Sequence, residues 1–517
     1  MTTNDTSGGQ FTATTTPAKP GSRIAYAVLA AIVLLALWLR LYRLDALSLW
    51  YDEGATLVFS QGGYQNWIAD NHPPLYYALM NGWRQFGQSE YWLRLLSVIP
   101  AVATIPVVFA LGKRMFGINA GLLASAFMAT MAFHIIYSQE ARMYALLVFL
   151  YASMLWALVA AARGGGRRHW LGYTVAAVLL AYTQGIGIVY VAIVASLFPF
   201  ILPRPLQGSA WRPFLVANGA VALIYFPWLL VLSQSALRLD NIAWITPPAL
   251  TSIEKILTTL MFERIPVTGI VDKLTGIGLA EGSGVILMSI PVILLVGIGI
   301  WRAGRSSRGW AAATAILAVI LPILAVYVLS ILIAPMYLNR VLLPVSIGFV
   351  LLLSASVQGL TRSSSLVWLL IAVNLVISCA NTFYAFRYSS KEDYRSLSLD
   401  LQRRAGPEDA ILFLEEGRFG RALVEYYDRK SRLAATTRVE LSRVLSTCTN
   451  EPDSCLETYF QNYLPGSRLW IIYVHDHVLS PGQAVAKNWF DQHSRTVSEQ
   501  AYPADALRLR EARLLGP

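Results

Sequence analysis

Apolar residues run along this chain in long blocks separated by short polar breaks. Blocks near 24–44, 93–111, 118–135, 141–162, 169–184, 185–202, 213–233, 284–301, 309–330, 337–358 and 365–386 are each about the length that crosses a hydrocarbon core. They predict roughly eleven transmembrane helices. The count turns on whether 169–202 is one long helix or two short ones meeting at Thr183-Gln184-Gly185. Two longer loops, 45–92 and 234–283, interrupt this membrane domain of 24–386. Beyond it, 388–517 mixes charges of both signs with short β-like runs, AILFLEE (410–416) and LWIIYVHD (469–476). Between the runs, EEGRFGRALVEYYDRK has helical spacing, with Phe419, Leu423 and Tyr426 on one face. The expected fold is an α-helical polytopic membrane domain followed by a small α/β domain.

Composition agrees with this reading. Hydrophobic residues make up 56% and charged residues 14% of the chain, and mean hydropathy is +0.51. Soluble domains carry about a quarter charged residues, so the chain is too apolar to be wholly soluble. Residues 1–23, rich in Thr, Ser, Gly and Pro, read as a disordered tail. The first apolar block reads as an uncleaved signal anchor.

A net charge of +11 does not point to nucleic acid, because the basic residues are placed as a topology signal. Lys113 and Arg114, Arg163, Arg167 and Arg168, Arg204 and Arg212, Arg302, Arg305 and Arg308, and Arg362 all fall in short loops. With residues 1–23 inside, each of those loops is cytoplasmic, as the positive-inside rule requires. The carboxylates give a separate check. Asp45, Asp52, Glu53, Asp70, Glu90, Glu140, Asp240, Glu254, Glu263, Asp272 and Glu281 all fall on the opposite side. Hydrophobicity alone does not demand that, so the working face is expected to be extracytoplasmic, with 388–517 on the same side. Cys379 lies in the last block as a small apolar residue. Cys448 and Cys455, on the outer side, are placed either for a disulfide or as two free thiols.

Loop 45–92 is dense in aromatics: Trp50, Tyr51, Tyr64, Trp67, Tyr76, Tyr77, Trp83, Tyr91 and Trp92. Such side chains prefer the membrane–water interface, which predicts helices lying flat on the outer leaflet. Asp52 and Glu53 stand directly behind the first block and follow Arg40 and Arg43. Adjacent carboxylates at a helix start point about 100° apart. One can face a cavity while the other caps the helix or pairs with a base; a carboxylate at the water–lipid boundary can act as general base for a hydroxyl. His72-Pro73-Pro74 holds His72 in an extended turn before a helix starting near Leu75, a geometry suited to an anion. In YSQEARMYAL (137–146), Gln139, Glu140, Arg142 and Tyr144 form a polar cluster at the depth of Asp52, and Arg340 is a further outer-edge arginine. Several guanidinium groups around one acid suit a lipid phosphate. No Walker A loop, H-E-x-x-H, G-x-S-x-G or Cys/His metal-ligand spacing occurs.

The order LWYDE, HPPLYY, SEYWLRLLSV, YSQEARMYAL and then KEDYR after the last block resembles the GT-C glycosyltransferases of the protein O-mannosyltransferase and aminoarabinose transferase type. It is especially similar to their bacterial RgtA/B/C/D-like (family 39-like) branch. The resemblance implies an enzyme of the bacterial inner membrane that moves a sugar, with inversion, from a polyprenyl-phosphate donor to an envelope glycan, lipid or protein acceptor on the outer face. It implies Asp52 as general base with Glu53 beside it, and His72, Glu140, Arg142, Tyr144, Arg340 and Arg40 as substrate-binding residues. At the Pro-Pro turn the aminoarabinose transferases usually carry lysine where this chain has His72. No cofactor or metal is expected, and no nucleic acid partner. Two other readings stand beside it. An O-antigen ligase-type transferase would place its chemistry in loop 234–283, around Arg264. A lipid-linked-sugar flippase or transporter would show mid-span polar residues and matched broken helices, and neither pattern is visible in the sequence.

Overall fold

The computed structural model describes residues 20–70, 72–203, 208–234, 245–262, 283–358, 364–388, 391–415, 418–428, 433, 437–440, 456, 458–460, 468–474, 481–502 and 507–514. Arg264, most of loop 234–283 and the Cys448–Cys455 segment lie outside the described residues.

Every apolar block forms helix. Among the described residues six helices are long and apolar enough to cross a membrane: Arg23–Leu41, Glu90–Phe116, Tyr144–Ala162, Trp211–Ser233, Gly309–Leu332 and Ser365–Arg387. Ile118–Thr130 and Ala132–Ser138, bent by 57° at their junction, make a seventh if taken together. Block 284–301 lies within the continuous helix Ser283–Gly304, and the others are interrupted. Residues 169–202 are not one helix: Arg167–Ala181 ends before a break at Tyr182–Ile186, and Gly187–Ser196 follows. Val345–Ala355 is short because Pro344 precedes it and Asn339–Leu342 winds as a 3₁₀ turn.

Each break is closed by a specific donor. At the 57° bend, carbonyls of the helix Ile118–Thr130 lose their intrahelical partners. Arg40 replaces them, donating to Met128 O at 3.1 Å, Ala129 O at 3.1 Å and Ala36 O at 3.0 Å. Its second terminal nitrogen also lies 2.8 Å from His134 Nδ1. At the other break, Tyr182 O accepts from Leu75 N at 3.1 Å, so the Pro-Pro turn docks onto it.

The two ends of the bundle differ chemically. At one, arginines cap helix C-termini: Arg114 donates to Ala160 O and Arg163 to Ile201 O, while Arg302 reaches Ser356 O and Gln358 O. The Arg163 guanidinium also lies 4.0 Å from the centre of the Trp310 ring. The opposite end carries Asp52, Glu53, Glu90 and Glu140, and the C-terminal segment packs there.

That segment contains a five-stranded sheet in the order β2-β1-β3-β5-β4. The strands are β1 (Ala410–Leu414), β2 (Thr437–Glu440), β3 (Arg468–Val474), β4 (Ser494–Ala501) and β5 (Leu507–Leu514). β1 runs parallel to β2 and β3, whereas β5 is antiparallel to β3 and β4. Alternation sorts the two faces. Ala410, Leu412, Leu414, Leu469 and Ile471 pack with Trp489 and Phe490 on one side. Ile411, Phe413, Trp470 and Ile472 face the other way and join the same core as the helical bundle.

Helix Phe419–Tyr427 makes that junction. It lies against helix Tyr51–Phe59 so closely that a Cβ at Gly54 would sit 2.9 Å from Leu423 Cγ and 2.9 Å from Phe419 O. Several aromatics of loop 45–92 pack within the protein, while Tyr64 and Tyr91 stay exposed. Tyr76 and Tyr77 are enclosed, with hydroxyls bound to Ser97 and Asp70. Trp83 and Trp92 stack at 4.6 Å and exchange indole-to-carbonyl bonds.

Candidate active site

Helix Tyr51–Phe59 places Asp52 and Glu53 in its first turn, where carboxylates offset the helix dipole. Their side chains go to different places. Glu53 is enclosed: Arg94 grips it with Nε on Oε1 at 2.9 Å and Nη2 on Oε2 at 2.7 Å. Ala141 N donates to Oε1 at 2.8 Å, and Trp50 N to Oε2 at 3.3 Å. Arg94 spends its remaining donors on the carbonyls of Leu44, Leu47 and Ser48. Burial alone would push the Glu53 carboxyl up, but Arg94 and the other donors outweigh it and hold it below the usual range. Both Glu53 oxygens are thus occupied by the protein, and the side chain fixes the entry of the helix and the 140–142 turn.

Asp52 faces a polar space. Its Oδ2 lies 3.4 Å from Arg340 Nη2, each side chain being 20% exposed. Arg142, buried, reaches the same helix from the other side, donating to Asp52 O at 3.0 Å and Thr56 Oγ1 at 3.2 Å. Ser97 Oγ donates to Arg142 O at 2.9 Å and also bonds the Tyr76 hydroxyl, which fixes the turn. Arg142 Nε has no hydrogen-bond partner in the protein.

His72 is half-buried, and its Nδ1 is likewise without a hydrogen-bond partner. Burial pushes its imidazole down; Asp70 and Asp52 act against this, while Arg142 and Arg340 reinforce it. The net direction leaves a neutral ring at pH 7. Helix Leu75–Trp83 begins where the Pro-Pro turn predicts. Its first N–H is already bound to Tyr182 O, which leaves the imidazole as the turn's side-chain donor.

Glu140 is buried, and Lys391 Nζ meets its Oε1 at 2.9 Å. Burial pushes this carboxyl up, with Lys391 only partly offsetting it, and Oε2 has no hydrogen-bond partner. The Lys391 ammonium also lies 5.3 Å from the centre of the Trp50 ring. Tyr144 is enclosed below this group, its ring 5.9 Å from the Arg142 guanidinium and 5.4 Å from Tyr137.

Asp52, His72, Glu140, Arg142, Tyr144 and Arg340 lie near one another at this end of the bundle. Arg40 does not join them. It is fully enclosed at the 57° bend, and its two terminal nitrogens are committed to carbonyls and to His134 there, because a broken helix in a membrane needs those carbonyls satisfied. Two residues not singled out from sequence complete the site. Arg94 holds Glu53, and Lys391 holds Glu140 from behind the last apolar helix. The signals were SEYWLRLLSV and KEDYR, in which each is the strategic cation. Among the described residues no three of His, Cys, Asp and Glu gather to hold a metal.

Comparison with known proteins bears on this arrangement. Residues 71–230 match the family model described as dolichyl-phosphate-mannose-protein mannosyltransferase. The fold matches ArnT from Cupriavidus metallidurans, solved bound to undecaprenyl phosphate, with TM-score 0.58 and 14% identity over 96% of this chain and 100% of that one. The chain has the GT-C fold. This GT-C chain also matches the oligosaccharyltransferase AglB from Archaeoglobus fulgidus, solved with an inhibitory peptide and a dolichol-phosphate (TM-score 0.53, 13% identity, 87% of this chain and 69% of that one). Arabinofuranosyltransferase AftD from Mycobacteria matches with TM-score 0.50 and 13% identity over 96% of this chain but only 40% of that one. No match was found among curated proteins. The match of 71–230 takes in His72, Glu140 and Arg142 of this multi-pass GT-C membrane protein, whereas Asp52, Arg340 and Lys391 lie outside it.

Proposed function

We infer that the chain is an inverting glycosyltransferase of the bacterial inner membrane, using a polyprenyl-phosphate sugar and an envelope glycan, lipid or protein acceptor on the outer face. The observation that carries this is the placement of one partly exposed carboxylate, Asp52, against Arg340, with Arg142 and His72 converging on the same space. The bundle end where they meet is where a lipid phosphate would emerge. Proteins of the same fold, at low identity, have been solved with undecaprenyl phosphate or dolichol-phosphate.

In this reading the Asp52 carboxylate takes the acceptor hydroxyl proton as the hydroxyl oxygen attacks the anomeric carbon. The bond from that carbon to the phosphate oxygen breaks on the opposite face, and its electron pair leaves with the phosphate. Arg340 and Arg142 meet the growing phosphate charge, and His72 offers it an N–H. The unpartnered Arg142 Nε and His72 Nδ1 are the groups such a ligand would satisfy. Tyr144 walls the space, and Glu140 keeps Lys391 beside Trp50 at its edge.

The test is Asp52→Asn, assayed for transfer from a polyprenyl-phosphate sugar in membranes. Transfer should fall on the order of a hundredfold or more, with expression and thermal unfolding unchanged because Asp52 is not enclosed. Transfer within a few-fold of the parent chain would refute the assignment.

A further inference from the structure

A second polar space lies beside the same helix, and none of its lining residues is among those assigned to the chemistry. It is a groove of about 790 Å³ between loop 45–92 and helix Phe419–Tyr427, within the size range of small-ligand sites. Leu57, Val58 and Phe59, at the far end of the helix that starts with Tyr51 and Asp52, form part of its wall. Asp52 and Phe59 are seven positions apart on the helix, an axial rise of about 10 Å.

The groove is strongly cationic. Arg84, Arg418 and Arg421 line it, and the only carboxylate among its described lining residues is Glu425. Glu425 already accepts from Arg421 Nε at 2.9 Å, so it does not neutralise the other two. Arg84 donates one bond, to Leu57 O at 3.2 Å. Burial draws its guanidinium down. Asn66, Gln88 and Ser89 add neutral polar groups to the wall.

We propose that this groove is the docking site for an anionic glycan, a sugar chain carrying carboxylate or phosphate groups, that presents its hydroxyl to Asp52. The proposal rests on the transferase reading above and names the chemistry of its acceptor. Guanidinium groups match carboxylate and phosphate by paired N–H donors, and the amide and hydroxyl groups between them match sugar hydroxyls. A lipid headgroup fits less well. The groove is walled by the C-terminal segment, and none of its described lining residues lies within a membrane span, Ser89 directly preceding the span Glu90–Phe116.

The experiment uses the full chain in phosphatidylcholine nanodiscs, titrated calorimetrically with pentagalacturonate and with neutral maltopentaose. Pentagalacturonate should bind, the neutral sugar should bind on the order of tenfold more weakly, and salt should weaken the acidic ligand alone. Arg418→Glu, at an exposed position, should reduce pentagalacturonate binding on the order of tenfold, and Arg84→Gln gives a second reading that keeps the fold. Equal binding of the two sugars, or binding within twofold of the parent in both variants, would overturn the proposal. Loss of pentagalacturonate binding when phosphatidylglycerol replaces part of the nanodisc lipid would assign the groove to lipid and overturn it as well. Asp52→Asn should bind pentagalacturonate normally. Binding without any transfer therefore refutes only the transferase reading, and transfer without binding refutes only this one.

Discussion

Asp52 and Glu53 are neighbours in sequence and opposites in environment. Glu53 has four donors and no contact with the polar space; Asp52 has Arg340 and partial exposure. Their substitutions should therefore separate cleanly. Removing one partner of a buried ion pair strands the other and costs about 3–5 kcal/mol. Glu53→Gln should thus lower thermal stability in detergent as well as transfer, whereas Asp52→Asn lowers transfer alone. The pH sign follows from the depressed Glu53 carboxyl. Its contribution is present in full above the unfolded value of about 4.3 and is lost as pH falls through the lower folded value. The stability gap between parent and Glu53→Gln should be widest at pH 7 and narrow below about pH 4; a gap that holds constant in acid would show that Arg94 is not acting through charge. The split of roles was legible from the 100° offset of adjacent helical residues, but which carboxylate went where was not. That depended on Arg94, which lies 41 residues farther along the chain, a partner no local pattern supplies. Arg40 misled for a similar reason. Its position beside the acids suggested a substrate contact, whereas the bend it fills becomes visible only in three dimensions.

At the scale of elements, the site helix is held by the C-terminal segment as well as by the membrane bundle. Tyr51 and Phe59 both pack on Phe419, at 5.2 and 5.5 Å between ring centres. Glu392 accepts from Tyr51 N at 3.3 Å, and Arg395 joins Glu90 at 2.5 Å. Gly54 allows this approach, since any side chain there meets Leu423 and the Phe419 carbonyl. Gly54→Val should push the two helices apart, costing about 1–3 kcal/mol. It should reduce transfer on the order of a hundredfold by displacing Asp52. Adding Leu423→Ala should recover part of the transfer, because it removes one of the two clashes; a double variant no better than Gly54→Val would show that the Leu423 contact is not the limiting one. Leu423 and Phe419 were readable as one helical face from sequence. The helices were legible because their apolar blocks are long, and β1 and β3 because they are buried on both sides. β4, SRTVSEQA, was not, because it is an edge strand exposed along nearly its whole length and carries no apolar alternation.

At the scale of the whole molecule, the division of charge is the property on which the functional reading depends. Arginines close helix ends at one pole of the bundle, and carboxylates with their own cations build the site at the other. The arginine pole is the one expected to stay in the cytoplasm. In the proposed orientation the site faces the side where a lipid-linked sugar would be presented, and the cationic groove beside Arg84 lies at the same end. Cysteine accessibility decides this. In a chain whose Cys379, Cys448 and Cys455 are replaced by Ser, Gln61→Cys on the acid-bearing side and Ser307→Cys on the arginine side are both exposed positions. A membrane-impermeant maleimide applied to intact cells should label Gln61→Cys and leave Ser307→Cys unlabelled until the membrane is permeabilised. The reverse pattern would put Asp52 in the cytoplasm, where an outer-face acceptor never reaches it. The donor phosphate, the acceptor and the base would then have to be reassigned together, since all three depend on the same side of the bundle.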